Sequence, residues 1–276
     1  MAALTLGYSP CPNDTFIFYG LVHNKIAGAP RFREVLEDIE TLNAMAVNDR
    51  LDMTKISFHA LGHLRERYCL LHAGGALGRG CGPLLISRAP IQPDDLRGKK
   101  IAIPGKLTTA ALLLRLFNPD LEDLVVLPFH KIMSATQDGE VDAGLIIHES
   151  RFTYPDYGLH KVIDLGEWWE SATGHPIPLG GILARRSLGS ETIANMDRSL
   201  RESIAFAYTN PEEVKQYIRQ HAQEMDDAVM QQHIDLYVND HTRDYNRDGE
   251  AAIADLYRRA EAAGILPPSK QPLFID

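Results

Sequence analysis

Cysteine is scarce in this chain, and the little there is follows no useful pattern. Cys11, Cys69 and Cys81 are odd in number and lack any C-x-x-C spacing, which argues against a disulfide framework and a tetrahedral zinc site. A reducing compartment is expected. No run approaches the roughly 20 apolar residues of a membrane span, and Met1 to Leu6 lead into Gly7-Tyr8-Ser9 with no basic region or long apolar stretch. Neither export nor anchoring is expected, and the cytoplasm is. Positive charge is also short: 28 lysines and arginines face 37 acidic residues for a net charge of −9, without a basic cluster. Nucleic-acid binding is therefore not expected. An acidic chain that binds an acidic small molecule must do so through local donors, such as helix N-termini, hydroxyls or one placed cation.

Familiar cofactor and metal motifs are missing too. Gly74-Gly75-Ala76-Leu77-Gly78-Arg79-Gly80-Cys81-Gly82 does not match G-x-G-x-x-G, and it precedes a strand instead of opening a helix. It reads as a flexible or tight turn. Gly105-Lys106-Leu107-Thr108-Thr109 has Lys100 where a P-loop needs its first glycine, and its lysine is not followed directly by serine or threonine. His59 and His63 have the i, i+4 spacing of helical metal ligands, but no glutamate completes H-E-x-x-H. They read as capped or surface histidines. Neither a cofactor nor a metal is expected, and there is no internal repeat or low-complexity tract.

What is present is a chain of 276 residues, 45% hydrophobic and 24% charged, which suits a folded protein with a real core. Strands alternate with helices through the first two thirds: Leu4 to Tyr8, then a helix to about Lys25 capped by Asn13 or Asp14. Further strands are predicted at Thr54 to Phe58, Gly82 to Ser87, Lys100 to Ile103, Leu124 to Pro128, Ala143 to His148 and Gly181 to Arg185. This alternation implies an α/β fold with a parallel or mixed sheet. Beyond Gly189 the sequence is helical: Ser190 to Tyr208, a helix capped by Asn210 before Pro211, Asp226 to Val238, and Gly249 to Ala263 stopped by Gly264. Breaks near Arg88 and near Arg185 divide the chain into a larger lobe, 1–88 plus 187–276, and a smaller inserted lobe, 89–186, with a cleft between them. The loops after Tyr8, Phe58, Pro104 and Ile147 should face that cleft, because ligands sit beyond the carboxyl ends of strands.

Four segments there carry chemistry. Ser9-Pro10-Cys11-Pro12-Asn13-Asp14 is a proline-stiffened turn into a helix. Cys11 is either inert packing or a thiol activated by the helix N-terminus. Lys55-Ile56-Ser57 ends a strand and offers a cation and a hydroxyl. Thr108 or Thr109 caps a helix, and the amides behind it either bind a carboxylate or serve only as a cap. His148 is the first polar residue after the apolar run Ala143-Gly144-Leu145-Ile146-Ile147, and serves as a general acid or base or is satisfied by a neighbouring backbone group. Glu149 beside it reads as a solvated or hinge-paired carboxylate.

The opening Gly7-Tyr8-Ser9-Pro10-Cys11-Pro12-Asn13-Asp14-Thr15-Phe16-Ile17-Phe18-Tyr19 resembles the signature of the 1,4-dihydroxy-6-naphthoate synthases of the futalosine route to menaquinone. Four further blocks agree: Val35 to Asn43, Gly74 to Pro83, Gly144 to Tyr157 and Pro178 to Arg186. The resemblance spans nearly the whole chain, although the C-terminal helices add little to it. It implies a two-lobed type II periplasmic-binding-protein fold and a lyase that takes cyclic de-hypoxanthine futalosine as its small-molecule substrate. It also implies His148 as general base, substrate contacts at Lys55, Ile56, Ser57, Thr108 and Thr109, and Asn43 as a further polar contact. Two other expectations compete with it: a small-acid binding protein of the same fold, and the chorismate dehydratase branch of the same pathway. The oligomeric state is not legible.

Overall fold

The structure, a computed structural model, describes residues 3–222 and 226–275. The chain opens with β1 (Leu4–Tyr8), turns at Ser9 and Pro10, and enters α1 (Pro12–Val22). Pro12 stands at the start of α1, where a missing amide costs no hydrogen bond, and Cys11 holds the N-cap position without a side-chain cap. Asn13 and Asp14, expected as caps, lie inside the first turn. There follow β2 (Phe32–Leu36), α2 (Ile39–Val47), β3 (Met53–Ser57), α3 (Phe58–Leu64), β4 (Tyr68–Leu70) and β5 (Ala76–Gly78). Asp38 caps α2 by accepting from the amides of Glu40 and Thr41. Phe58, expected in a strand, is the first residue of α3, and β5 lies within the glycine-rich segment expected to be only a turn.

The second sheet is built from β6 (Leu84–Ser87), β7 (Ile101–Ile103), β8 (Leu124–Val126), β9 (Ala143–Ile146) and β10 (His160–Asp164), in the order β10-β6-β9-β7-β8. Interleaved are α4 (Thr109–Phe117), α5 (Phe129–Gln137) and α6 (Ser150–Thr153), and α7 (Leu165–Thr173) follows β10. β11 (Ile177–Arg185) returns the chain to the first sheet, whose order is β2-β1-β3-β11-β4, with β5 also on β11. β1 is parallel to β2 and β3, whereas β11 is antiparallel to β3, β4 and β5. Both sheets are mixed.

The expected lobe boundary at residue 88 does not follow the sheets. β6 pairs antiparallel with β9 and β10, so the second sheet begins at Leu84. The apolar run Leu84-Leu85-Ile86 marks a strand but says nothing of its partners, and pairing, not the loop after it, sets the division. At the return crossing, β11 starts at Ile177, earlier than the expected Gly181. Conversely, the strands expected to reach Pro128 and His148 end at Val126 and Ile146.

The chain ends in α8 (Ser190–Thr209), α9 (Pro211–His221), α10 (Asp227–Tyr237), α11 (Asp240–Arg243) and α12 (Asn246–Ala262). Asn210 precedes α9 but makes no cap bond, its amide donating to Phe206 O instead. α1 is buried along almost its whole length because it is covered by α8, α9 and α10. One apolar cluster joins Ile56, Phe58 and Leu183 of the first sheet region to Leu85, Leu112 and Ala143 of the second. The two sheets therefore share a core behind the cleft.

Candidate active site

β1 lies between β2 and β3, so the loops leaving β1 and β3 open at a topological switch point. A first cavity begins there, lined among others by Ser9, Asp14, Lys55, Ser57, Thr108, Thr109, His148, Leu179 and His233. A second, more acidic cavity shares Ser9, Ile39 and His148 with it and adds Glu37, Asp38, Glu40, Phe129, His130 and Glu149. His148 thus borders both.

Strand alternation explains what β3 presents. Lys55 and Ser57 point to the cleft, while Ile56 points away and is fully buried in the apolar core. Ile56 is expected as a substrate contact, but its side chain lines neither cavity. The Lys55 ammonium lies 2.8 Å from Asp14 Oδ1, and both side chains are buried. Asp14 also accepts from the Ser9 amide and hydroxyl at 3.2 and 2.8 Å, and from Asn13 Nδ2 at 2.9 Å. Asn43 is fully buried behind Ser57: its Oδ1 accepts from the Ser57 amide at 3.0 Å, and its Nδ2 lies 3.2 Å from both Ser57 Oγ and Glu40 Oε2. It lines neither cavity, and instead holds the residue that does.

The hydroxyls of α4 are committed. Thr108 caps the helix, its Oγ1 accepting from the Ala111 amide and donating to Gly105 O, and Thr109 Oγ1 donates to Leu179 O on β11. What this helix start turns to the cavity is backbone, the first-turn amides with their positive dipole end. Buried His59, pushed down to about 4 by burial, donates from Nδ1 to Thr108 O at 3.2 Å. It acts on the loop and not on a ligand.

His148 follows β9 after one residue and sits at φ +58, a left-handed conformation uncommon for any residue but glycine. Its ring packs edge-on to Phe129 at 5.2 Å between centroids and makes no hydrogen bond to the described residues. Burial lowers its pKa, and the nearby Glu149 and Asp14 carboxylates partly offset this. It is therefore neutral at pH 7, with a lone pair free to take a proton. Cys11 lines the second cavity, and burial drives its thiol well above the usual range, opposite to the shift that an activated thiol needs.

A family described as menaquinone biosynthesis matches residues 4–262 of this chain. The chain belongs to that family. Within menaquinone biosynthesis it is 50% identical over 275 residues to a 1,4-dihydroxy-6-naphthoate synthase of Thermus thermophilus, all of both chains being covered. It is 49% identical to an enzyme of the same name from Streptomyces coelicolor, over 96% of this chain and 95% of that one. A crystal structure from Archaeoglobus fulgidus, 41% identical, superposes with a TM-score of 0.90 over 96% of this chain and 98% of the other. The fold is that of periplasmic binding proteins: the aliphatic sulphonate binding protein of Escherichia coli, 16% identical, gives a TM-score of 0.65 over 99% of this chain and 94% of its own.

Among the residues lining the first cavity, reading the sequence alone missed His233 and Tyr237 on α10. The signal available was a histidine on the apolar face formed by Met230, Ile234 and Tyr237. Nothing local says that this face meets the end of β1.

Proposed function

We propose that this chain is the lyase that converts cyclic de-hypoxanthine futalosine to 1,4-dihydroxy-6-naphthoate, with His148 as general base and without a cofactor. The single observation that carries the mechanism is His148 itself: an imidazole with no hydrogen-bond partner among the described residues, bordering both cavities. The synthases of Thermus and Streptomyces support the product. In this scheme His148 takes a proton from the carbon next to a carbonyl. The resulting enolate expels the sugar-derived fragment, and aromatisation of the remaining ring drives the step forward. Lys55, Ser57 and the first-turn amides of α4 are the donors aimed at developing negative charge and at the carboxylate. Positioned proton transfer contributes about 10² to 10⁴ in rate, so orientation and these donors supply the rest.

The lobes, adjusted so that β6 belongs to the second, would close over the substrate and exclude water. The reaction is placed in the cytoplasm, in keeping with three free, buried cysteines. No helix of the described residues is long and apolar enough to cross a membrane.

Incubation of the pure protein with cyclic de-hypoxanthine futalosine should yield the naphthoate, detected by absorbance and mass, equally with and without chelator. Product that disappears with chelator would remove the claim of cofactor independence. No product in either case would favour a binding protein for small acids.

A further inference from the structure

His233 sits on the inward face of α10 and is 1% exposed. Its ring lines the same cavity as that of His148, the two planes 19° apart and their centroids separated by 6.2 Å. Tyr237 flanks it at 4.6 Å. Nε2 of His233 lies 2.9 Å from Asn13 Oδ1. Asn13 Nδ2 donates to Asp14 Oδ1, which fixes the amide so that its oxygen faces the histidine. An amide oxygen only accepts, so Nε2 carries the proton and Nδ1 keeps a lone pair. That Nδ1 is buried and has no partner among the described residues. Burial, reinforced by His148 and Lys55, holds His233 well below the ordinary histidine range, so the lone pair persists at neutral pH.

The first cavity, which His233 lines, is also lined by residues that carry donors: the Lys55 ammonium, the Ser57 hydroxyl and the amides of α4. Those suit carbonyl and carboxylate oxygens. An unpaired buried acceptor among them is an exception that calls for a donor, and the donors of a dihydroxynaphthoate are its two hydroxyl groups. We propose that His233 is a second ligand-binding imidazole, whose Nδ1 accepts an O–H of the ring system that becomes 1,4-dihydroxy-6-naphthoate and so orients it beside His148. The identity of the donor rests on the activity proposed above, whereas the role of the ring rests on its own geometry.

Two variants separate this role from a purely structural one. His233→Gln places its amide where Nε2 lies and can still donate to Asn13, but offers nothing at the Nδ1 position. His233→Asn places its amide near Nδ1 and gives up Asn13. By titration calorimetry with 1,4-dihydroxy-6-naphthoate, His233→Gln should bind about tenfold more weakly than wild type, the scale of one lost buried hydrogen bond. His233→Asn should stay within about threefold, because it keeps that bond. In 15N-labelled wild type, the Nδ1 resonance should move upfield on binding. Wild-type affinity in His233→Gln, or an unmoved Nδ1 resonance, would reduce His233 to a brace for Asn13. These outcomes leave turnover of the wild type intact. A wild type that neither turns over nor binds the naphthoate would remove the activity and the hydroxyl donor together.

Discussion

On the wall of the cleft built from the first sheet, polar groups are held by one another. Asp14 takes Lys55, Ser9 and Asn13, while Asn43 grips both the amide and the hydroxyl of Ser57. On the opposite wall His148 stands beyond β9 in a left-handed conformation, its ring unbonded among the described residues. The first wall is organised before any ligand arrives, which limits what binding must spend on ordering. The second holds a strained residue with free hydrogen-bonding capacity, features that gather where chemistry is done. The difference suggests a division of labour, with side-chain recognition on the first wall and, on the second, proton transfer beside the α4 amides.

The sharpest way to break that division is His148→Gln, which keeps size and polarity but removes the base. Turnover should fall by about 10² to 10⁴ while product affinity changes little, since a base acts mainly in the transition state. Single-turnover kinetics with calorimetry on the same samples would check it. A loss of affinity as large as the loss of rate would make the His148 ring a recognition group instead of a base.

The first wall should fail differently. Asp14→Ala leaves the Lys55 ammonium buried and unpaired, and should lower stability by about 3–5 kcal/mol. Urea denaturation would measure this, and the double variant Asp14→Ala, Lys55→Met should recover most of it. A double variant as unstable as the single would mean that Asp14 matters chiefly for its bonds to Ser9 and Asn13.

Acid should act on both walls. Burial holds His59 down to about 4 and lowers His148 and His233 below the ordinary value of 6.5. Below about pH 6.5 the unfolded chain binds protons that the folded chain does not, so stability is full above that pH and falls as pH drops towards 4. His59 alone should account for roughly 3 kcal/mol of the fall, and His59→Gln should flatten the melting-temperature profile accordingly. The acid limb of kcat/KM should also lie below 6.5, because His148 is held neutral.

How much of this was legible in the sequence follows the range of the interaction. The run Ala143 to Ile147 ending in His148, and the polar residues at the end of β3, are local patterns, and the segments after Tyr8, Pro104 and Ile147 do line the cavity, whereas Phe58 opens α3 and no residue of the turn expected after it lines the cavity. Asn43 and Ile56 were expected to touch the ligand, yet neither lines the two cavities. A nine-residue helix and a strand face must be packed before it is known which residues they hide. Asn13 and Asp14 read locally as caps, because a carboxylate near a helix start usually is one. Only Lys55, 41 residues later, turns Asp14 into half of an ion pair. His233 lies 220 residues from Asn13 and was out of reach for the same reason.

The smallest effect expected tests whether the two walls are coupled. Glu40 on α2 crosses the cleft: its Oε1 accepts from the Leu107 amide in the loop before α4, and its Oε2 accepts from Asn43. A β-carbon at Gly105 would lie 2.3 Å from the Glu40 carboxyl carbon, so glycine there makes room for the contact. Asn43 in turn holds Ser57, which gives a continuous path from the second-lobe loop to the ligand-facing hydroxyl. Glu40→Ala should cost about 1 kcal/mol, the net value of an ordinary hydrogen bond, and weaken product binding by about fivefold. Glu40→Gln keeps an acceptor and should lose less. Small-angle scattering should then show the unliganded Glu40→Ala protein more extended than wild type, with the difference vanishing when product is bound. Identical profiles together with unchanged affinity would mean that the shared core alone sets the distance between the walls.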